Sequence, residues 1–306
     1  MFAFIVCAPL ACDKGLKPKN QNTEPKKEEK YRSLETLGMT EPKLAASISS
    51  EFLPYSEFLT YIQSHQKNLT REKNEDKRKV KINFLKEIQE ALNNLPEPEE
   101  NDVNVSFEEK LFKAEISDTF KGRAQEAIQL YAQISTGRHP RNLFVESGAG
   151  LRSYVTDLLK INNGYEFTLE KHFKSDHAYH TKDRVRLLFY KKNNTYISLN
   201  QHVRDFGDAL RIQKVEKEGK TYHPIHYEIT IDVYHQLGND TFQFLSWNLF
   251  DGQTQESRHG AINAAKKVGD FVSFGLLGRG IAKIVQDEAE EVWSKRRALF
   301  QELLKK

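Results

Sequence analysis

The chain has 306 residues, and its 46 lysines and arginines nearly balance its 43 aspartates and glutamates, leaving a formal net charge of +3. Hydrophobic residues make up 38% and aromatic residues 11%, which excludes disorder throughout, because disordered chains lack apolar side chains for a core. The balanced charge argues against nucleic acid as a partner, since dedicated nucleic-acid binders carry a large basic excess. Two cysteines are too few for a small disulfide scaffold.

The amino-terminal region changes composition abruptly. Cys7 and Cys12 lie in an apolar stretch that ends at Cys12. A segment rich in lysine, glutamate and proline follows, and we expect residues 13–42 to form a disordered tether, because they cannot bury enough apolar surface to become ordered.

The sequence Pro9-Leu10-Ala11-Cys12 resembles the lipobox of bacterial lipoproteins, in which a cysteine follows a short apolar run and a small residue. The resemblance implies that residues 1–12 are a signal peptide with the lipobox cysteine and that Cys12 becomes lipidated. It further implies an N-terminal lipid anchor to a membrane of the bacterial cell envelope, on the periplasmic or outer-surface side. The alternative is an ordinary apolar amino terminus packed into a core, with cysteine as a small hydrophobic residue.

Residues 43–95 are predicted to form a helical segment. Apolar side chains recur at three- and four-residue spacing over residues 79–95, which is typical of an amphipathic helix, and Pro54 is predicted to divide two shorter helices. The charged, proline-rich stretch 96–102 is the best internal boundary. We therefore expect a second unit, an α+β domain, over residues 103–306.

The pattern of this second unit changes from helical to alternating along the chain. A strand and two helices come first, predicted at Val103–Phe107, Ser117–Ser135 and Leu151–Ile161. Strands joined by compact glycine and asparagine turns follow, predicted at Tyr165–Leu169, Arg184–Tyr190, Thr195–Leu199, Ala209–Val215, Tyr222–Gln236 and Thr241–Phe250. From residue 256 the pattern is helical, with a break expected at the glycine-rich stretch 274–280.

This order of elements resembles the START-like, or helix-grip, fold over residues 103–306. The fold class is therefore predicted as α+β: a helical amino-terminal segment, then an antiparallel β-meander of about six strands with a long C-terminal helix. The resemblance implies a curved sheet around the last helix and an apolar cavity for lipids, sterols or other hydrophobic molecules. The candidate ligand-binding residues are on the apolar face of one predicted strand: Ile225, Tyr227, Ile229, Ile231 and Val233.

The other face of that strand carries polar residues, including His226, Glu228 and Asp232. The favoured interpretation is a half-buried antiparallel strand whose polar face meets solvent. The alternative is a cluster for general acid–base chemistry.

Nine of the ten histidines lie between His139 and His259. In Asp176-His177-Ala-Tyr-His180 two imidazoles stand three residues apart beside an acid, so Asp176, His177 and His180 are candidate metal ligands. The alternative is a strand surface rich in histidine and tyrosine, which needs no cofactor.

The favoured hypothesis is an exported, lipid-anchored envelope protein of non-catalytic type that binds a lipid or another hydrophobic small molecule, without a cofactor. Two alternatives remain: a metal-dependent hydrolase using His177 and His180, and a structural or adhesive surface lipoprotein without a ligand pocket.

Overall fold

The computed structural model describes most of the chain, over residues 52–109, 111–136, 151–173, 179–202, 215–217, 220–222, 227–251 and 274–305. Cys12, Asp176, His177 and Ile225 lie outside these residues, as does the expected tether. The hypotheses made for them remain predictions.

Within the described residues the chain forms four α-helices and eleven β-strands. The helices are α1 (Tyr55–Asn68), α2 (Glu75–Asn93), α3 (Ala124–Ser135) and α4 (Phe274–Leu304). The strands are β1 (Leu53–Pro54), β2 (Asp102–Glu108), β3 (Leu111–Lys121), β4 (Leu151–Ile161), β5 (Gly164–Phe173), β6 (Tyr179–Lys192), β7 (Thr195–His202), β8 (Val215–Lys217), β9 (Lys220–Tyr222), β10 (Glu228–Gln236) and β11 (Thr241–Asp251). The predicted fold class is confirmed: the chain is α+β, with a large antiparallel sheet and a long C-terminal helix.

The sheet follows the order β2-β3-β11-β10-β7-β6-β5-β4, and neighbours along this path are antiparallel. β1 and β9 add short parallel pairings to β6, and β8 pairs with β9. The pairing of β3 with β11 brings an early strand against the last one, so β11, β10 and β7 lie in the interior of the sheet.

Helices cover both faces of the sheet. One face, the α1/α2 face, packs against α1 and α2 in a core that includes Phe58, Phe84, Leu85, Ile197, Leu199, Ile229, Ile231, Val233 and Leu249. The opposite face, the α3/α4 face, forms a second core that includes Phe120, Tyr131, Phe167, Leu187, Phe189, Tyr234, Phe244, Trp293 and Phe300. Because successive side chains of a strand point to opposite faces, the central strands are buried on both sides.

The predicted helix Ser117–Ser135 is wrong in its first part, which belongs to strand β3. Ile116, Phe120 and Ala124 are four residues apart, a spacing that fits one face of a helix and one face of a strand equally well. Gly122, with φ of +132°, lies between strand and helix in a conformation that favours glycine. Pairing with β11 makes the residues up to Lys121 a strand, and α3 begins only at Ala124.

The predicted helix Leu151–Ile161 is also wrong, because these residues form strand β4. The register with β5 shifts within β4, where Asp157 has a positive φ of 54°. Val155 and Leu158 both pack against the α3/α4 core, whereas Leu159 is exposed. A bulge thus changes the spacing between core-facing side chains from two residues to three, which imitates a helical period.

The expected break at residues 274–280 is wrong as well, since these residues form the first turns of α4. Glycine inside a helix costs only about 0.5–1 kcal/mol relative to alanine, which destabilises a helix without forbidding it. Later in α4, the packing of Trp293 and Phe300 against the sheet supports the helix. Among the described residues, no helix combines the length and the apolar character needed to cross a membrane.

Candidate ligand-binding site

The central strands carry a block of polar side chains on the α3/α4 face. Even-numbered residues of β10 point to this face, together with their cross-strand partners in β7 and β11. They form three rows across the sheet: His202 and Glu228; Asn200, Thr230 and Asn248; and Ser198, Asp232 and Ser246. All eight are buried, and we refer to them as the polar strip.

The expectation that the polar face of β10 meets solvent is wrong. Glu228 is 1% exposed and Asp232 is fully buried. The reason is that α3 packs over β7 and β10, so this sheet is covered on both faces rather than one. His226 lies outside the described residues.

Apolar side chains flank the polar strip on the same face. Leu187 of β6 lies beside Asn200 in register, and Ala114 of β3 lies beside Asn248. The flanks continue on each side through Tyr165, Phe167, Val185, Phe189 and Ile116, all of them buried. The strip is therefore a polar centre within an apolar surface.

An aromatic cluster, formed by Tyr131, Tyr234, Phe244 and Trp293, adjoins one end of the strip. The rings of Tyr131 and Tyr234 have centroids 6.2 Å apart, those of Tyr234 and Phe244 are 5.2 Å apart, and Phe244 stacks on Trp293 at 5.6 Å. Helices α3 and α4 each contribute a ring to the cluster. This packing orients both helices over the sheet beside the polar strip.

Asp232 occupies the centre of the row next to the aromatic cluster. Ser246 Oγ donates a hydrogen bond to Asp232 Oδ1 at 2.6 Å, and Ser198 Oγ donates one to Oδ2 at 3.3 Å. Burial raises the pKa of Asp232, and hydrogen bonds from Ser246, Tyr131 and Ser198 oppose that rise. In the part of the chain that the structure describes, none of the ion pairs includes Asp232.

Several acceptor and hydroxyl atoms of this face have no hydrogen-bond partner among the described residues: Asn200 Oδ1, Asn248 Oδ1 and the Tyr234 hydroxyl. The amide nitrogen of Asn248 donates to Thr230 Oγ1 at 2.9 Å, which leaves its oxygen unused. A buried polar atom without a partner costs about 1–3 kcal/mol. A bound molecule that supplies hydrogen bonds would remove this cost.

The other two acids on the α3/α4 face have partners within the protein. His202 Nε2 lies 2.9 Å from Glu228 Oε2, with both side chains buried. Asp118 of β3 pairs with Arg297 Nε at 2.7 Å and accepts a hydrogen bond from Trp293 Nε1 at 3.1 Å. Asp232 differs from both, because its hydrogen-bond donors among the described residues are hydroxyl groups.

The structure places the sequence-predicted lining residues on the other face of the sheet. Ile229, Ile231 and Val233 are fully buried beneath α1 and α2, and Tyr227 packs against the same core. They therefore lie away from the polar strip, and Ile225 is outside the described residues. The part of the strip in β10 has a signal in the sequence, because polar and apolar residues alternate along that predicted strand. The interpretation of its polar side as solvent-exposed is wrong, since α3 covers it.

Of the candidate metal ligands, only His180 lies among the described residues, in β6, where its register partner in β5 is His172. The part of the chain that the structure describes holds no group of three or more histidine, cysteine, aspartate or glutamate residues arranged for a metal ion. A metal site at Asp176, His177 and His180 remains a prediction.

Searches against protein-family models and against curated protein sequences give no match. Among solved structures, the chain is similar to human STARD10, with a TM-score of 0.38 and 10% identity over 75% of this chain and 83% of that one. The lipid transfer and protein localization domain of human StarD13 gives 0.33 and 8%, over 67% and 95% of the two chains. Truncated norcoclaurine synthase from Thalictrum flavum gives 0.29 and 11%, over 62% and 94%. The structural neighbours thus include START-domain proteins, at low identity.

Proposed function

We propose that the chain is a non-catalytic binding protein that holds a lipid or another hydrophobic small molecule against the polar strip. The observation that carries the proposal is a group of buried hydrogen-bonding side chains, some with unused acceptors, in the middle of an apolar face. Small-molecule sites have this composition, with apolar walls and a few convergent polar groups. A core that serves folding alone avoids buried polar atoms without partners, because they are costly.

The test uses the full chain, purified under native conditions. Mass spectrometry of extracted apolar compounds and titration with the neutral fluorescent probe N-phenylnaphthylamine measure binding. We expect a co-purified apolar compound, or saturable probe binding at one site. A protein that yields neither result would contradict the proposal.

Ala114→Phe tests the location of the site, because Ala114 is buried and lies beside Asn248 in register. A ring at this position would project from β3 next to the strip. We expect the variant to bind the probe roughly tenfold more weakly or worse, a loss that corresponds to about 1.4 kcal/mol. Leu159→Phe, at an exposed position of β4, is the matched control and should bind as the unsubstituted chain does. Thermal unfolding of both variants confirms that they are folded, and equal binding by both would place the probe elsewhere.

We also propose that the chain is exported and anchored to the cell envelope through lipid on Cys12, on the strength of the sequence Pro9-Leu10-Ala11-Cys12. Incorporation of labelled palmitate in a bacterial host tests this, with Cys12→Ser against Cys7→Ser as the matched control. The label should disappear only from Cys12→Ser. Label that survives in Cys12→Ser would remove the proposed anchor site.

A further inference from the structure

The polar strip differs from a general hydrogen-bonding surface because it is rich in acceptors. Asn200 Oδ1 and Asn248 Oδ1 have no donor among the described residues, and Asp232 adds two carboxylate oxygens in the adjacent row. Amide and carboxylate oxygens accept hydrogen bonds and cannot donate them. The oxygen atoms of a phosphate or carboxylate head group would face these acceptor oxygens without forming hydrogen bonds to them. Buried like charges and unpaired acceptors are both costly.

Among the described residues, Asp232 also lacks the close charged partner that Asp118 has in Arg297. In that same part of the chain, Asp118 pairs with Arg297 and Glu228 lies 2.9 Å from His202 Nε2, whereas the hydrogen bonds to Asp232 come from hydroxyl groups. A cation within hydrogen-bonding distance strongly stabilises the charged form of a buried carboxylate. A cationic ligand group would therefore supply at Asp232 the charge that Arg297 supplies at Asp118.

The aromatic cluster favours the same kind of ligand. Tyr234 follows Asp232 by two residues on the same face of β10, and the Tyr131 ring lies beside it. Burial raises the pKa of both tyrosine hydroxyls, and the negative charge of Asp232 raises it further. Ring faces attract ammonium groups, and the apolar flanks accommodate a hydrocarbon body.

We infer that the ligand is an amphiphile with a protonated amine, whose ammonium group binds to Asp232 and to the amide oxygens of Asn200 and Asn248. Its apolar part packs against the aromatic cluster and the flanking side chains of β3, β5 and β6. This inference rests on the proposed function, because it specifies the ligand class of the same site.

The test compares three ligands that share one hydrocarbon tail: dodecylamine, dodecanol and dodecanoate. Each is titrated in competition with N-phenylnaphthylamine for the full chain, near neutral pH and below the onset of micelle formation. We expect dodecylamine to bind at least roughly tenfold more tightly than dodecanol, and dodecanoate to bind most weakly, because a charge-assisted hydrogen bond in a buried site contributes about that factor.

Asp232→Asn removes the charge while keeping the shape of the side chain. In this variant the preference for dodecylamine over dodecanol should fall to roughly twofold or less, with dodecanol affinity retained. Asp240→Asn makes the same change in the exposed β10–β11 turn and should leave the preference intact. Near-UV circular dichroism confirms folding, and if Asp232→Asn does not fold, the head-group series on the unsubstituted chain decides alone.

The outcomes separate the two proposals. Equal affinity for dodecylamine and dodecanol, or tightest binding of dodecanoate, would overturn the inference and leave the proposed binding function in place. Probe binding that none of the three ligands displaces would likewise overturn the inference alone. Absence of any probe binding or co-purified compound would overturn the proposed function, and the inference with it.

Discussion

His65 of α1 shows how the α1/α2 face changes the chemistry of one side chain. Its Nε2 lies 3.0 Å from the Tyr227 hydroxyl, and its Nδ1 lies 3.3 Å from Gln201 Nε2. Lys81 sits 4.3 Å above the Tyr227 ring and pairs with Glu72 at 2.7 Å. Burial, assisted by the charge of Lys81, lowers the pKa of His65 to about 4. The folded protein therefore holds this histidine neutral.

A pH-dependent loss of stability follows. Because the His65 pKa is about 4 in the folded protein and 6.5 in an unperturbed histidine, the unfolded chain takes up a proton first as pH falls. The stability that His65 contributes is complete above about pH 6.5 and is lost progressively towards about pH 4. Near pH 5 the loss from this residue is about 2 kcal/mol.

Urea unfolding of the unsubstituted chain and of His65→Gln, at neutral pH and near pH 5, measures this effect. The extra acid sensitivity of the unsubstituted chain should be absent from the variant, whereas other titrating groups affect both proteins alike. Identical losses in the two proteins would show that His65 does not carry the effect.

At the scale of elements, the contact between β5 and β6 depends on a glycine. A Cβ built on Gly164 would lie 1.9 Å from the carbonyl oxygen of Leu187, a backbone atom that cannot move without its strand. We expect Gly164→Ala to lower the free energy of unfolding by about 2 kcal/mol or more, because β5 must shift away from β6.

Gly238, in the turn between β10 and β11, is the matched control. A Cβ there would meet nothing within 4 Å, so Gly238→Ala should be neutral or stabilise the protein by a few tenths of a kcal/mol. Chemical denaturation of the two single variants compares them. A similar effect of both substitutions would argue against the close approach at Gly164.

The elements also differ in how well the local spacing of apolar residues predicts them. The stripe over residues 79–95 predicted α2, which runs from Glu75 to Asn93, because a helix repeats its own period and needs little outside information. The spacing over β4 predicts a helix because the bulge at Asp157 alters the period of a strand. Local spacing fails at such a bulge, since the hydrogen bonds that stabilise the strand come from β5.

For the whole molecule, the main architectural fact is a sheet with a core on each face. The predicted helical segment 43–95 contributes α1 and α2 to the α1/α2 core, together with strands of the predicted unit 103–306. β1 pairs with β6, and Lys192 Nζ donates to the carbonyl oxygen of Leu92 at 2.9 Å. The described parts of the two units therefore share one core, and we expect the sheet to need α1 and α2 to cover its apolar face. The boundaries themselves remain predictions.

The sequence by itself determined the fold class, the long C-terminal helix and the alternation of β10, since periodicity states which side chains share a face. It could not state whether that face is covered. On sequence alone, the polar residues Ser198, Asp232 and Ser246 are compatible with a solvent-exposed strand face. In the structure, β7, β10 and β11 pair and α3 packs over these residues. Only the tertiary structure shows that these polar residues form a buried site, because burial depends on elements that lie far away in the chain.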